Sequence, residues 1–235
     1  ALMRRLYERR EEARAVGRRA REDILANWTM ERTADWIAHS FARLSDGGRT
    51  GGSRRSFPAR GPAETPKSVD VVWHGAIFDP SGYADEARNF ILGLQARDVR
   101  VAARAIGRHS DTFRAHLDPH IRDRLDRALA TRVDPGFISV IHFPAYAFQR
   151  VSDAAYHVGR VMFETDGLPA EWVARCNQMD EIWVPTDFNI QSFRAAGVTV
   201  PLFKVPGGVD ADRFRPGLEP LPIPEGMAPP GVRTT

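Results

Sequence analysis

The chain has 235 residues, of which 43% are apolar, 27% charged and 9% aromatic, enough for one or two domains with a sizeable core. That composition excludes fibrous and wholly disordered proteins. The formal charge of +3 divides unevenly: residues 1–68 carry 15 basic and 9 acidic side chains, whereas 69–235 carry 18 and 21. Basicity is therefore a property of the front segment alone, where Arg4-Arg5, Arg9-Arg10 and Arg18-Arg19 alternate with Glu8, Glu11, Glu12, Glu22 and Asp23. Mixed signs at this spacing describe a solvated helix face, not the single-sign stripe with interleaved aromatics that nucleic acid requires. No window approaches a membrane span, and the first residues lack a basic-apolar-small leader, so the expectation is a cytoplasmic protein. Ala at position 1 and a Pro-rich end suggest a piece of a longer polypeptide.

Leu2, Leu6, Ala13, Val16, Ala20 and Ile24 recur at helical spacing, and Ala34, Ile37, Phe41 and Leu44 follow at intervals of three and four. Two helices are predicted over 1–45, with Asn27 and Thr29 suited to cap the junction and Trp28 placed to pack there. Residues 46–68 hold five Gly and three Pro but almost no large apolar side chains, and read as a flexible linker. From 69 the pattern becomes short apolar runs alternating with helical stretches. Strands are predicted at 69–73, 99–103, 137–141, 158–163, 181–184 and 202–205, and helices at 83–96, 119–130, 169–179 and 187–196. This is βαβ grammar, and it predicts an α/β domain over 69–216, a mostly parallel sheet with helices on both faces. Residues 217–235, rich in proline, read as a hinge or tail.

In a doubly wound sheet the ligand crevice lies beyond the carboxyl ends of the strands, so the residues there are the candidates. After the first strand, Ser81, Gly82 and Tyr83 open a helix. Gly82 either permits close approach of a ligand phosphate to free backbone N–H groups or serves only the turn. Neither a dinucleotide fingerprint nor a phosphate loop with its lysine is present, which counts against hydride transfer and ATP hydrolysis. The third strand ends in Ile141-His142-Phe143-Pro144. His142 is there either as a hydrogen-bonding group for a sugar hydroxyl or as a structural histidine. The fourth ends in Val161-Met162-Phe163-Glu164-Thr165-Asp166, where partial burial of Glu164 would raise its pKa and Asp166 could cap the next helix. Thr186 is a cap or a ligand contact. Cys176, the single cysteine, sits in a helical pattern as a buried small hydrophobe. With no tight Asp-x-Asp pair at a strand end, no metal site is predicted.

Four ordered strings resemble one family. They are Phe78-Asp79-Pro80-Ser81-Gly82-Tyr83-Ala84 with Arg88; Arg160-Val161-Met162-Phe163-Glu164-Thr165-Asp166-Gly167-Leu168-Pro169 with Trp172; Met179-Asp180-Glu181-Ile182-Trp183-Val184-Pro185-Thr186; and Val205-Pro206-Gly207-Gly208-Val209-Asp210, ending in Phe214-Arg215-Pro216. Over about 70–216 the chain is similar to the N-terminal, acceptor-side half of GT-B glycosyltransferases of the group 1, or family 4, type. The resemblance implies a Rossmann-like domain and transfer of a sugar from a nucleotide-sugar donor to a glycan or glycolipid acceptor with retention of configuration. The nucleotide sugar is a co-substrate, and no cofactor is implied. The donor site of the family lies mainly in a C-terminal Rossmann-like domain, expected beyond residue 235, so the isolated chain is expected to be inactive or nearly so. The family's strand-end histidine has Glu164-Thr165 in its place here. Glu164 and His142 are expected to position the acceptor hydroxyl. Gly82 would admit the phosphates, and Ser81, Tyr83, Phe143, Thr165, Asp166, Thr186 and Gly208 would supply further substrate contacts.

The strings Ala15-Val16-Gly17-Arg18-Arg19-Ala20-Arg21 and Trp28-Thr29-Met30-Glu31-Arg32-Thr33-Ala34 are similar to the closing helices of a GT-B transferase. They suggest that residues 1–45 end a preceding transferase domain in a tandem, the alternative being a helical extension that packs on its own domain. Two other readings of the chain are a non-catalytic sugar- or phosphate-binding module and a peripheral contact of the basic front helices with the inner membrane face. The interspersed acids argue against the last.

Overall fold

A computed structural model describes residues 2–45 and 70–217. The predicted linker at 46–68 and all but the first residue of the predicted tail lie outside the described residues. Six parallel strands form one sheet: β1 (Asp70–Gly75), β2 (Arg100–Ala105), β3 (Phe137–His142), β4 (Ala154–Arg160), β5 (Glu181–Val184) and β6 (Leu202–Lys204), in the order β2-β1-β3-β4-β5-β6. This is a Rossmann-like α/β sheet. The helices are α1 (Leu2–Glu8), α2 (Arg10–Asn27), α3 (Met30–Ser45), α4 (Gly82–Gln95), α5 (Asp111–His116), α6 (Pro119–Ala130), α7 (Ala170–Cys176) and α8 (Asp187–Ala195).

Register brings the strand ends level. Gly75 pairs with Ala105 on one side and His142 on the other, and His142 pairs in turn with Arg160. Strand order reverses between β1 and β3, which makes the edge beyond Gly75 and His142 the topological switch point where such sheets bind ligands.

Period-2 alternation divides the core. Trp73, Val101, Ile138, Val140, Val158 and Trp183 face α4 and α3, while Ile141, Ile182 and Val184 face α7 and α8 with Phe193 and Cys176. Cys176 is buried, and that burial pushes its thiol up to about 12, so it is inert at neutral pH.

The strand and helix positions follow the apolar runs, with one consequential shift. β4 occupies Ala154–Arg160 instead of 158–163. Tyr156 and His157 extend it backwards because both find partners there: Tyr156 donates to Glu181 Oε2 at 2.9 Å, and the His157 N–H donates to Asp180 at 2.8 Å. Residues 161–169 are therefore loop.

The front segment differs more. α1 and α2 are separate helices, and among the described residues of α2 none is buried. Ion pairs between exposed neighbours, such as Arg4–Glu8 and Arg14–Glu11, line this arm and contribute little each. α3 is different in kind. Its Trp36, Ile37 and Phe41 enter the main core, with Trp36 edge-on to Trp183 at 5.9 Å and Phe41 stacked on it at 5.5 Å between centroids. α3 and α4 approach so closely that a Cβ added at Gly93 would stand 2.8 Å from the Ala34 Cβ. The boundary drawn at residue 45 is thus corrected for α3, which shares one core with the sheet. At the α2–α3 junction, Trp28 Nε1 donates to Asp23, and Thr29 accepts from the Arg32 N–H. The Val209 N–H donates to the Trp28 carbonyl at 2.9 Å and fastens the junction to the chain leaving β6.

Candidate functional site

The turn from β1 into α4 is shaped by its own polar residues. Asp79 Oδ1 accepts the Ser81 N–H at 2.8 Å, and Ser81, as N-cap, accepts the Ala84 N–H. From below, the buried Arg88 donates to the Ile77 and Asp79 carbonyls at 2.8 and 3.1 Å. The result is a braced loop that holds Ser81 and Gly82 exposed at the strand-end edge. Among the described residues a Cβ at Gly82 would meet nothing within 4 Å, so the space beside its Cα, at the start of α4, is open. That is a suitable approach for an anion.

Tyr83, one residue on, is not a free substrate contact. Its hydroxyl donates to the Met162 carbonyl at 2.8 Å and accepts the Met162 N–H at 3.0 Å, and so ties the loop after β4 to α4. Burial pushes the phenol up to about 12, and the nearby Glu164 and Glu86 charges act in the same direction. Through this tie, Gly82 and Glu164 come to one edge of the sheet.

Glu164 does not have the partly buried position expected of it. With β4 ending at Arg160, the carboxylate stands on an exposed loop, as do Thr165 and Asp166. Thr165 donates to the Gly167 carbonyl at 3.0 Å, and α7 begins at Ala170 behind Pro169 without a side-chain cap, so Asp166 is not the cap.

His142 is corrected more strongly. It ends β3 on the inward face and has no solvent exposure, packed between Trp73, Phe90 and Tyr83 with ring centroids 5.5–6.0 Å away. Its Nε2 stands 2.9 Å from Glu86 Oε2 without the alignment of a hydrogen bond, and its Nδ1 has no partner among the described residues. Burial keeps the ring neutral against the pull of Glu86. It cannot reach an acceptor from there.

What His142 adjoins is a cluster that the sequence reading missed. Glu86, on the second turn of α4, accepts two bonds from Arg160 at 3.1 and 2.7 Å, and Arg160 also donates to the Val205 carbonyl at 2.6 Å. Burial opposes ionisation of Glu86, but Arg160 outweighs it and holds the carboxyl down at about 2. The ion pair fastens the ends of β3 and β4 to α4 and to the chain beyond β6. The available signal was the spacing of Glu86 after Gly82, which places a carboxylate one turn into the helix and facing the sheet.

Two further candidates are structural. Thr186 caps α8 by accepting the Asn189 N–H at 3.2 Å. Gly208 lies half-buried against the α2–α3 junction, where an added Cβ would stand 2.7 Å from the Met30 nitrogen, so its lack of a side chain serves this packing.

Phe143 is the hinge of the edge. Tyr83 lies 6.3 Å from it on one side and Tyr146 lies 5.9 Å away on the other. Beyond Phe143, on the sheet face opposite α4, opens a cleft of about 380 Å³ lined by His74, Phe143, Tyr146, Gln149 and Arg175 among others. Among the described residues no group of three or more His, Cys, Asp or Glu could hold a metal ion, and no helix is long and apolar enough to cross a membrane.

No family model and no curated protein matches this chain.

Proposed function

We propose that residues 70–217 form the acceptor-side domain of a GT-B-type glycosyltransferase, which transfers a sugar from a nucleotide-sugar donor to a glycan or glycolipid acceptor. One observation carries the reading. The four strings that resemble the family end beyond β1, β4, β5 and β6, along a single edge of a parallel sheet whose switch point is that edge.

The chemistry matches the placement. In the transition state of glycosyl transfer, positive charge grows on the sugar ring and negative charge on the leaving diphosphate. A carboxylate near the ring and backbone N–H groups near the phosphates are complementary to both. Glu164, exposed on its loop, is the group assigned to the acceptor hydroxyl, and the open space before Gly82 is assigned to phosphate approach. Arg160, Glu86 and His142 hold the ground beneath them and touch no substrate.

The product of the natural reading frame that contains this segment tests the reading. Incubated with radiolabelled nucleotide sugars and glycan acceptors, it is expected to transfer sugar, with Glu164→Gln lowering kcat and Gly82→Val raising the donor KM. The 235-residue chain alone is expected not to turn over. Robust transfer by that chain would refute the division of labour between the halves. Binding of glycans without turnover by the longer product would favour a non-catalytic sugar-binding module.

A further inference from the structure

The cleft beyond Phe143 contains two polar groups that the fold leaves unused. His74 projects from β1 onto the face opposite α4, and its buried Nε2 has no hydrogen-bond partner among the described residues. Burial, with help from Arg104 and His157, lowers this histidine from its ordinary value to about 4, so the ring is neutral at physiological pH and can donate or accept through that nitrogen. Arg175, in the last turn of α7, is half-buried at the cleft, and its guanidinium makes no hydrogen bond or ion pair with any described residue. An unpartnered buried donor and an unpaired, partly desolvated cation both cost free energy, and both gain when a ligand meets them.

The rest of the lining selects the ligand. Among the described residues around the cleft none is acidic, and Arg104 stands behind His74 in register on β2, so the local charge is positive. Tyr146 is 51% exposed, yet its ring is braced edge-on by Phe143 and at 6.0 Å by Trp172. It is a rigid aromatic platform open to a flat apolar surface, such as the C–H face of a pyranose. Gly107 keeps the rim clear: at φ 83° it has a conformation other residues resist, and a Cβ there would press on the Phe143 ring at 3.0 Å. The volume of about 380 Å³ suits a single hexose-sized unit.

We infer that this cleft binds an anionic sugar residue, with Arg175 pairing its carboxylate or phosphate, His74 meeting a ring hydroxyl and Tyr146 packing on the ring. Its role as the acceptor subsite rests on the glycosyltransferase reading, whereas binding itself does not.

The test is titration of the 235-residue chain, followed by NMR or calorimetry, with methyl glucuronide, methyl glucoside, glucose 6-phosphate and inorganic phosphate. At least one anionic sugar is expected to bind about tenfold or more tightly than the neutral glucoside, as a charge-assisted pair implies. Whether the glucuronide or the phosphate ester is preferred tells a uronate-bearing glycan from a phosphorylated sugar. Arg175→Gln is expected to erase the preference while keeping the weak neutral binding, and Tyr146→Ala to weaken all three sugars. Both positions are at least partly exposed, and unchanged far-UV circular dichroism confirms folding. Equal affinity for neutral and anionic sugars, no effect of Arg175→Gln, or inorganic phosphate binding as tightly as the sugar phosphate would each overturn the inference. If an anionic sugar binds but the longer product transfers nothing, the site stands and the transferase reading falls. If the longer product glycosylates only neutral acceptors and the chain binds no anionic sugar, the reverse holds.

Discussion

Replacing Glu86 by Gln removes a charge and retains nearly the same shape. The side chain of Arg160 has no solvent exposure and that of Glu86 only 14%, so the substitution leaves a guanidinium buried with two carbonyl-type acceptors and no counter-charge. The carboxyl is held at about 2 against an ordinary 4.5, and at about 1.4 kcal/mol per pH unit this amounts to about 3 kcal/mol of native stability at neutral pH. That lies at the low end of the 3–5 kcal/mol typical for breaking a buried pair, as expected when Gln still accepts a bond.

The sign follows from the direction of the shift. The folded pKa is below the unfolded one, so the contribution is complete above about pH 4.5 and fades as pH falls toward 2. Urea unfolding followed by tryptophan fluorescence is the assay. With a slope of about 2–3 kcal/mol per molar, Glu86→Gln should lower the midpoint by about 1–1.5 M at pH 7. At pH 3 the gap should shrink to about half. A loss under about 1 kcal/mol at pH 7, or one as large at pH 3 as at pH 7, would show that the pair does not hold the strand ends.

Three further outcomes are expected. Gly93→Val should force α3 from α4 against the 2.8 Å approach to Ala34 and cost about 1–3 kcal/mol, read as a lower Tm with red-shifted tryptophan emission; an unchanged Tm would mean α3 is not docked there. Tyr83→Phe should leave the Met162 N–H and carbonyl without their partner, at about 1–3 kcal/mol. Hydrogen exchange should then quicken at Met162 and the loop behind it, whereas a uniform change across the sheet would count against the tie. Because His74 is lowered to about 4, its contribution is complete above about pH 6.5 and lost as pH falls toward 4. His74→Gln should flatten the stability profile in that window by about 2 kcal/mol, discounted for partial exposure, and an identical profile would contradict the burial of this ring.

The sheet was legible from local signals because a strand buried on both faces must be an apolar run, and parallel neighbours require a crossover long enough to be seen. Phe137 to His142 and Glu181 to Val184 could be read directly for that reason. The start of β4 could not. Tyr156 and His157 look polar in the sequence and are strand residues only because Glu181 and Asp180, more than twenty positions later, receive their hydrogen bonds.

The same limit governs the site. That Gly82, His142 and Glu164 would gather at the carboxyl edge follows from chain order and strand polarity alone. Which of them faces solvent does not, because burial depends on what packs from elsewhere. Phe90 and Trp73 close over His142, Tyr83 ties the loop before Glu164 to α4, and Met30 packs against Gly208. Amino-acid order determined the architecture and which edge carries the strand ends, since periodicity and handedness are local properties of the chain. Only tertiary packing decided that Arg160 is spent on Glu86 while Arg175 finds no partner among the described residues, because the pairing of a charge depends on distances between segments that the sequence does not record.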